Sequence, residues 1–122
     1  HIVFALSSFN NLVKNGRMSK IVGFVANKLG FWGIGIGSKQ GTIEIKQKIR
    51  GSKKALDAII DDMKERGYNC GKVVISHCRN AEFAESVKSA IQSVWDKAEV
   101  KIVHARGLCS YYAEKGGLII GF

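Results

Sequence analysis

The groups in this chain best placed to do chemistry are two clusters of basic residues, and the chemistry that suits them is anion binding. Arg17 and Lys20 flank Ser19, where one helix is expected to start, and Arg50, Lys53 and Lys54 surround Ser52, where another should start. A helix start presents N–H groups without internal partners and the positive end of the helix dipole. Two such starts with arginines beside them could jointly hold a phosphate or a carboxylate. Each cluster alone is a common loop pattern.

Catalytic groupings are sparse. The histidines, His1, His77 and His104, stand far apart, and none has a second ligand at metal spacing. A zinc site from His77 and Cys78 would need side chains on opposite faces of a strand end. His104, beside Arg106, reads as the end of a strand rather than as a base. No G-x-x-x-x-G-K-[ST] loop is present, and no G-x-G-x-x-G opens a helix. Asp61 and Asp62 sit on a helix at a spacing that reads as solvated. Nothing in these groupings argues for an enzyme, and no metal or cofactor is expected.

The elements that must position these residues are legible from periodicity. With 122 residues the chain fits one domain with a real core. Its centre is expected at Gly116-Gly117-Leu118-Ile119-Ile120-Gly121-Phe122, where consecutive apolar residues suit a strand buried on both faces. The bracketing glycines suit close approach of another backbone or a ligand. Gly107 to Lys115 is too polar and interrupted for core, and reads as a loop feeding that strand, where function tends to sit. Ile2–Leu6 reads as a strand, followed by a short helical face at Phe9, Leu12 and Val13 that Asn15-Gly16 stops. A helix from Ser19 to Leu29 carries Ile21, Val22, Phe24, Val25 and Leu29 on one stripe. Phe31 to Gly37 alternates large residues with glycine, a strand with one bare face. Gln40-Gly41 turns it into a second strand with Ile43, Ile45 and Ile49 expected on one side. Ser52 should cap a helix with Leu56, Ile59, Ile60 and Met63 on its apolar face, and Asn80 one with Phe83, Val87 and Ile91. The strands at Lys72–Ser76 and Val100–His104 flank that second helix in a parallel crossover. The expected fold is α/β: a two-layer domain with a mixed six-stranded sheet and helices mainly on one face.

Charge is one-sided. The net +9 lies wholly in residues 1–54, where ten Lys/Arg face one acid, Glu44, while the remainder is balanced. Such a field suits an acidic partner, a phosphate-bearing ligand or nucleic acid, or serves solubility. Cys70, Cys78 and Cys109, odd in number and without C-x-x-C, read as free thiols of a cytoplasmic protein. No apolar run approaches a membrane span of ~20 residues. The start at His1 rather than Met, with a strand at once, suggests a piece of a longer protein.

Three motifs carry a family resemblance. Asn15-Gly16-Arg17-Met18-Ser19-Lys20 resembles the G-R-[IL]-S-K motif of the bacterial DegV family. Lys48-Ile49-Arg50-Gly51-Ser52-Lys53-Lys54-Ala55 is similar to its K-V-R-x-x-K-K-A, and Gly107 to Phe122 to its G-P-x-x-x-x-H-x-G-P-G-x-x-G-x-x-F close. The matches follow the family's order and span nearly the whole chain. The resemblance implies the C-terminal lipid-binding domain of a two-domain protein, with its last strand near the middle of the sheet. It implies a long-chain fatty acid as ligand, its tail inside this domain and its carboxylate near the missing N-terminal domain. Some members present the acid to a separate fatty-acid kinase that makes an acyl phosphate. The expected ligand residues are Arg17, Ser19, Arg50, Tyr111 and Tyr112 around the head, and Phe24, Val25, Phe31, Trp32 and Ile34 along the tail. The family's histidine falls on Tyr112, whose hydroxyl can donate but does not titrate near neutral pH. Its G-P-G becomes Glu114-Lys115-Gly116, and its Lys-Pro of the second strand becomes Trp32-Gly33.

The alternatives are a basic RNA-binding module and a protein-interaction domain for an acidic partner. Single-strand RNA binding favours aromatics interleaved with Lys/Arg on an exposed strand, and Ile43 to Ile49 has none. Nucleic acid is therefore the lesser expectation.

Overall fold

A computed structural model of the chain describes residues 1–17, 31–38 and 42–122. The helix expected from Ser19 to Leu29, with Ser19, Phe24 and Val25, and the Gln40-Gly41 turn lie outside the described residues. In chain order the elements are β1 (Ile2–Leu6), α1 (Asn10–Lys14), β2 (Phe31–Gly37), β3 (Ile43–Arg50), α2 (Ser52–Glu65), β4 (Lys72–His77), α3 (Ala81–Val94), β5 (Glu99–His104), α4 (Gly107–Ala113) and β6 (Leu118–Gly121).

The strands form one mixed sheet in the order β3-β2-β1-β6-β4-β5. Among the described strands, only β4 and β5 run parallel, joined by the α3 crossover; the other neighbours are antiparallel. The all-apolar β6 lies between β1 and β4, with Ile119 opposite Phe4 on one side and Ser76 on the other. The two long helices cover one face. Ala55, Ile59 and Met63 of α2 and Val87 and Ile91 of α3 pack there on Val3, Ala5, Ile34, Ile75, Leu118 and Ile120, all at most 1% exposed. The other face carries a smaller cluster of Phe4, Leu6, Phe9, Leu12 and Ala113 beneath the short helices α1 and α4.

Several local expectations are corrected. The segment read as a loop before β6 holds a helix, α4, bounded by Gly107 at φ +55° and Glu114 at φ +53°. Its apolar residues are few, and Leu108 is exposed, so no stripe marked it. Strand β3 does not keep its isoleucines on one side. Ile34 pairs with Gln47 and Gly35 with Ile45, so Lys46 is an extra residue in a bulge. The bulge flips the pleat: Ile49 packs with the long-helix core and Ile45 with the opposite cluster. Lys46 then reaches α2, with Nζ 2.9 Å from Asp62 and 2.7 Å from Glu65. Asp62 is therefore buried, not solvated, and also meets Arg66 at 2.8 Å. Ser52 is the first helical residue rather than the cap, which is Gly51 at φ +90°. Asn80 occupies the cap position of α3, but its side chain donates to the Gly116 carbonyl instead, at 2.8 Å.

Candidate ligand-binding site

The glycine series of β2 creates room on the face away from the long helices. A Cβ at Gly33 would collide with the Phe9 ring, and one at Gly35 with the Phe4 ring and the Glu44 carbonyl. The expected bare face is thus filled by two phenylalanines at its first two glycines. At Gly37 nothing lies within 4 Å of that position, and the residue borders a cavity of about 590 Å³. Ile2, Phe4 and Leu6, which alternate on β1, line it with Ile119 of the neighbouring β6. The span from Ile2 to Leu6 is four strand steps, or about 13 Å. Leu12 of α1 and Ala113 of α4 close one end, and Ile43 begins the other. Polar groups sit at the extremities: His1, Ser38 and Thr42 at the hairpin end, where the two hydroxyls are 2.7 Å apart, and Tyr112 at the α4 end.

The α4 end is held by a network between α1 and α4. The Glu114 carboxylate accepts from the Ser8 hydroxyl and, at 2.7 Å, from the Asn11 backbone N–H. It thereby satisfies the start of α1, whose cap residue Phe9 has no side-chain acceptor. Asn11 Nδ2 donates to the Tyr111 carbonyl at 2.8 Å, and Asn15 Nδ2 to the Tyr111 hydroxyl at 3.1 Å. Arg17, just past α1, lies over the Tyr112 ring, 5.4 Å from its centre, in cation–π geometry. Before β6, a Cβ at Gly117 would strike the Ala113 carbonyl and Leu6, so this glycine permits α4 to pack against β1.

The structure therefore brings Arg17 and Tyr112 together at one end of the cavity. Arg50 is exposed at the end of β3, opposite Phe31, on the same end of the sheet but separated from β1 by β2. Tyr111 does not line this cavity, and Phe31 is half-buried outside it. Trp32 packs on Phe83, with ring centres 4.8 Å apart, and Ile34 belongs to the long-helix core; neither reaches the cavity. Of the lining residues only Tyr112 was expected from sequence; those it missed include Phe4, Leu6, Leu12, Ala113 and Ile119. A signal for two of them existed: Phe4 and Leu6 alternate on the strand that pairs in register with Gly35 and Gly33. Among the described residues, no cluster of three metal-ligating side chains occurs and no helix is long and apolar enough to cross a membrane.

Comparison with known proteins adds context. The family model described as "Uncharacterised protein, DegV family" matches residues 1–122. A DegV domain-containing protein of Streptococcus pyogenes is 43% identical over 121 residues, covering 99% of this chain and 43% of its own length. The chain thus spans less than half the length of the curated relatives it matches. The Streptococcus pneumoniae fatty acid kinase (Fak) B3 protein, solved loaded with linoleic acid, superimposes with a TM-score of 0.93 at 39% identity, over 98% of this chain and 42% of that one. A DegV family protein from Eubacterium eligens, loaded with heptadecanoic acid, gives 0.94 at 39% identity, over 98% and 43%.

Proposed function

The chain belongs to the DegV family, and we propose that it is the acyl-holding, C-terminal domain of a two-domain fatty-acid-binding protein. The observation that carries this reading is the apolar cavity of about 590 Å³ that runs beside β1 and ends at Tyr112 and Arg17. That volume lies within the roughly 300–1,000 Å³ of small-molecule sites. Its walls are side chains of Phe4, Leu6, Leu12 and Ile119, which offer an acyl chain burial without polar groups to desolvate. Each methylene buried there contributes roughly 0.8 kcal/mol, so the tail supplies most of the affinity. At the α4 end, the Tyr112 hydroxyl and Arg17 guanidinium can take a carboxylate. Two relatives at 39% identity were solved with fatty acids bound, which supports the ligand class.

In this reading the domain is a carrier, not an enzyme. The remainder of the protein completes the carboxylate site, and a fatty-acid kinase approaches the basic end of the sheet that Arg17 and Arg50 share. Replacing either arginine with Ala should weaken that engagement and leave stability nearly unchanged.

Titration of the whole protein with a fluorescent long-chain fatty acid tests the ligand assignment. Wild type should saturate at micromolar concentration. Ile119→Trp, which fills the cavity from the half-buried β6 side, should lose most binding while keeping its circular dichroism spectrum. Equal binding by Ile119→Trp would place the acyl chain elsewhere.

A further inference from the structure

A second cavity, of about 560 Å³, opens at the carboxyl ends of the parallel strands β4 and β5. Tyr111 of α4 lines it, whereas the adjacent Tyr112 lines the acyl cavity. In open α/β sheets this end of the strands is where ligands bind. Four basic side chains border it, His77, Arg79, His104 and Lys115, with the Cys78, Ser110 and Tyr111 side chains beside them. Among the described residues, none that lines it is acidic.

The histidines are placed by the sheet itself. In-register parallel pairing sets His77 against His104, with ring centres 4.5 Å apart. His77 is 3% exposed, and its Nδ1 accepts the Asn80 backbone N–H at 3.1 Å, which assigns the proton of the neutral ring to Nε2. Burial, then the neighbouring His104, lowers the His77 pKa. Arg79 stands at φ +52°, a conformation few L-residues adopt. The loop is pinned there by Cys78 N–H to the Gly117 carbonyl at 2.9 Å and by Asn80 Nδ2 to the Gly116 carbonyl at 2.8 Å. Held strain of this kind accompanies ligand clamps.

We propose that this cavity binds a doubly charged tetrahedral oxyanion, either free phosphate or the phosphoryl group of a monoester. Arg79 supplies a planar fork of donors and Lys115 a point charge. His77, whose Nδ1 accepts the Asn80 N–H, offers its Nε2–H as a donor, and the His104 ring beside it adds a second one. A bound dianion favours the charged form of an adjacent imidazole, so binding takes up protons. The other charged or titratable groups bordering the pair are Arg79, Lys115, Cys78 and Tyr111. No described residue lines both cavities.

Calorimetric titration of the protein at constant ionic strength, with sulfate, phosphate and phenyl phosphate, tests this. Sulfate keeps its charge across the range, and its binding should tighten about fivefold or more from pH 8 to pH 6. Arg79→Gly suits the left-handed backbone, so it should fold normally and bind sulfate about tenfold more weakly. His104→Gln should flatten the pH dependence. Tighter phenyl phosphate than phosphate assigns the site to an esterified phosphoryl group; the reverse order assigns it to the free ion. Absence of saturation by any of the three below about 10 mM, or unchanged binding in Arg79→Gly, overturns the proposal.

Discussion

Glu114 and His77 each do work over long distances in sequence. Glu114 occupies the place of the first glycine of the G-P-G in the resembled motif and adopts φ +53°, yet its carboxylate caps α1 from 103 residues away through the Asn11 N–H. Glu114→Ala removes this acceptor and the Ser8 contact, and should cost about 1–2 kcal/mol in urea denaturation. It should also loosen Tyr112, so fatty-acid affinity should fall along with stability. His77 behaves differently because it is buried in its neutral form. Its folded pKa lies below the ordinary value near 6.5, through burial and then His104, so the unfolded chain binds more protons in that range. Its contribution is fully present above about pH 6.5 and is lost as pH falls toward the folded pKa. Urea midpoints measured between about pH 5 and 7.5, in buffer without sulfate or phosphate, should fall on the acid side for wild type. His77→Asn keeps an acceptor for the Asn80 N–H and should flatten that limb; an equal acid loss in His77→Asn would assign it to other groups.

At the scale of elements, β3 is fixed to α2 by its bulge. Lys46 exists as an extra residue there, and its ammonium joins Arg66 on the Asp62 carboxylate. The Asp62 side chain is 4% exposed and the Glu65 side chain 68%, so the two acids contribute unequally. Asp62→Asn leaves two cations around a buried neutral amide and should cost about 3 kcal/mol, whereas Glu65→Gln should leave the denaturation midpoint unmoved. Thermal unfolding of both variants separates them. This device also shows why parts of the fold were legible and others were not. The consecutive apolar residues of β6 and the period-two glycines of β2 impose their positions through burial and contact, and both strands fall where their patterns put them. A bulge shifts register by one residue without a composition change, so the side reversal at Ile49 had no sequence signature. Helix α4 has one buried residue, Ala113, and therefore no stripe to read. His77 and His104 meet only through strand register, which spacing in sequence does not encode. For the site, Arg17 was legible both in the basic cluster beside Ser19 and in the motif resemblance and Tyr112 in the resemblance alone, while most of the cavity wall lay in β1 and β6, whose apolar runs marked them as strands and nothing more.

The whole molecule is asymmetric in charge and in cover. All of the net +9 lies in residues 1–54, and the long helices protect one sheet face while α1 and α4 protect part of the other. The cavity beside β1 forms on that second face, and Arg17 marks the end of it where basic charge is available to a carboxylate or an acidic partner. The central claim is that the protein carries a fatty acid in the cavity beside β1. Native mass spectrometry of the whole protein purified from bacteria, compared with the same sample after organic extraction, tests it most directly. The account predicts added mass matching one long-chain fatty acid, lost on extraction and sharply reduced in Ile119→Trp. A whole protein that emerges at its sequence mass and gains none after incubation with oleic acid would contradict it.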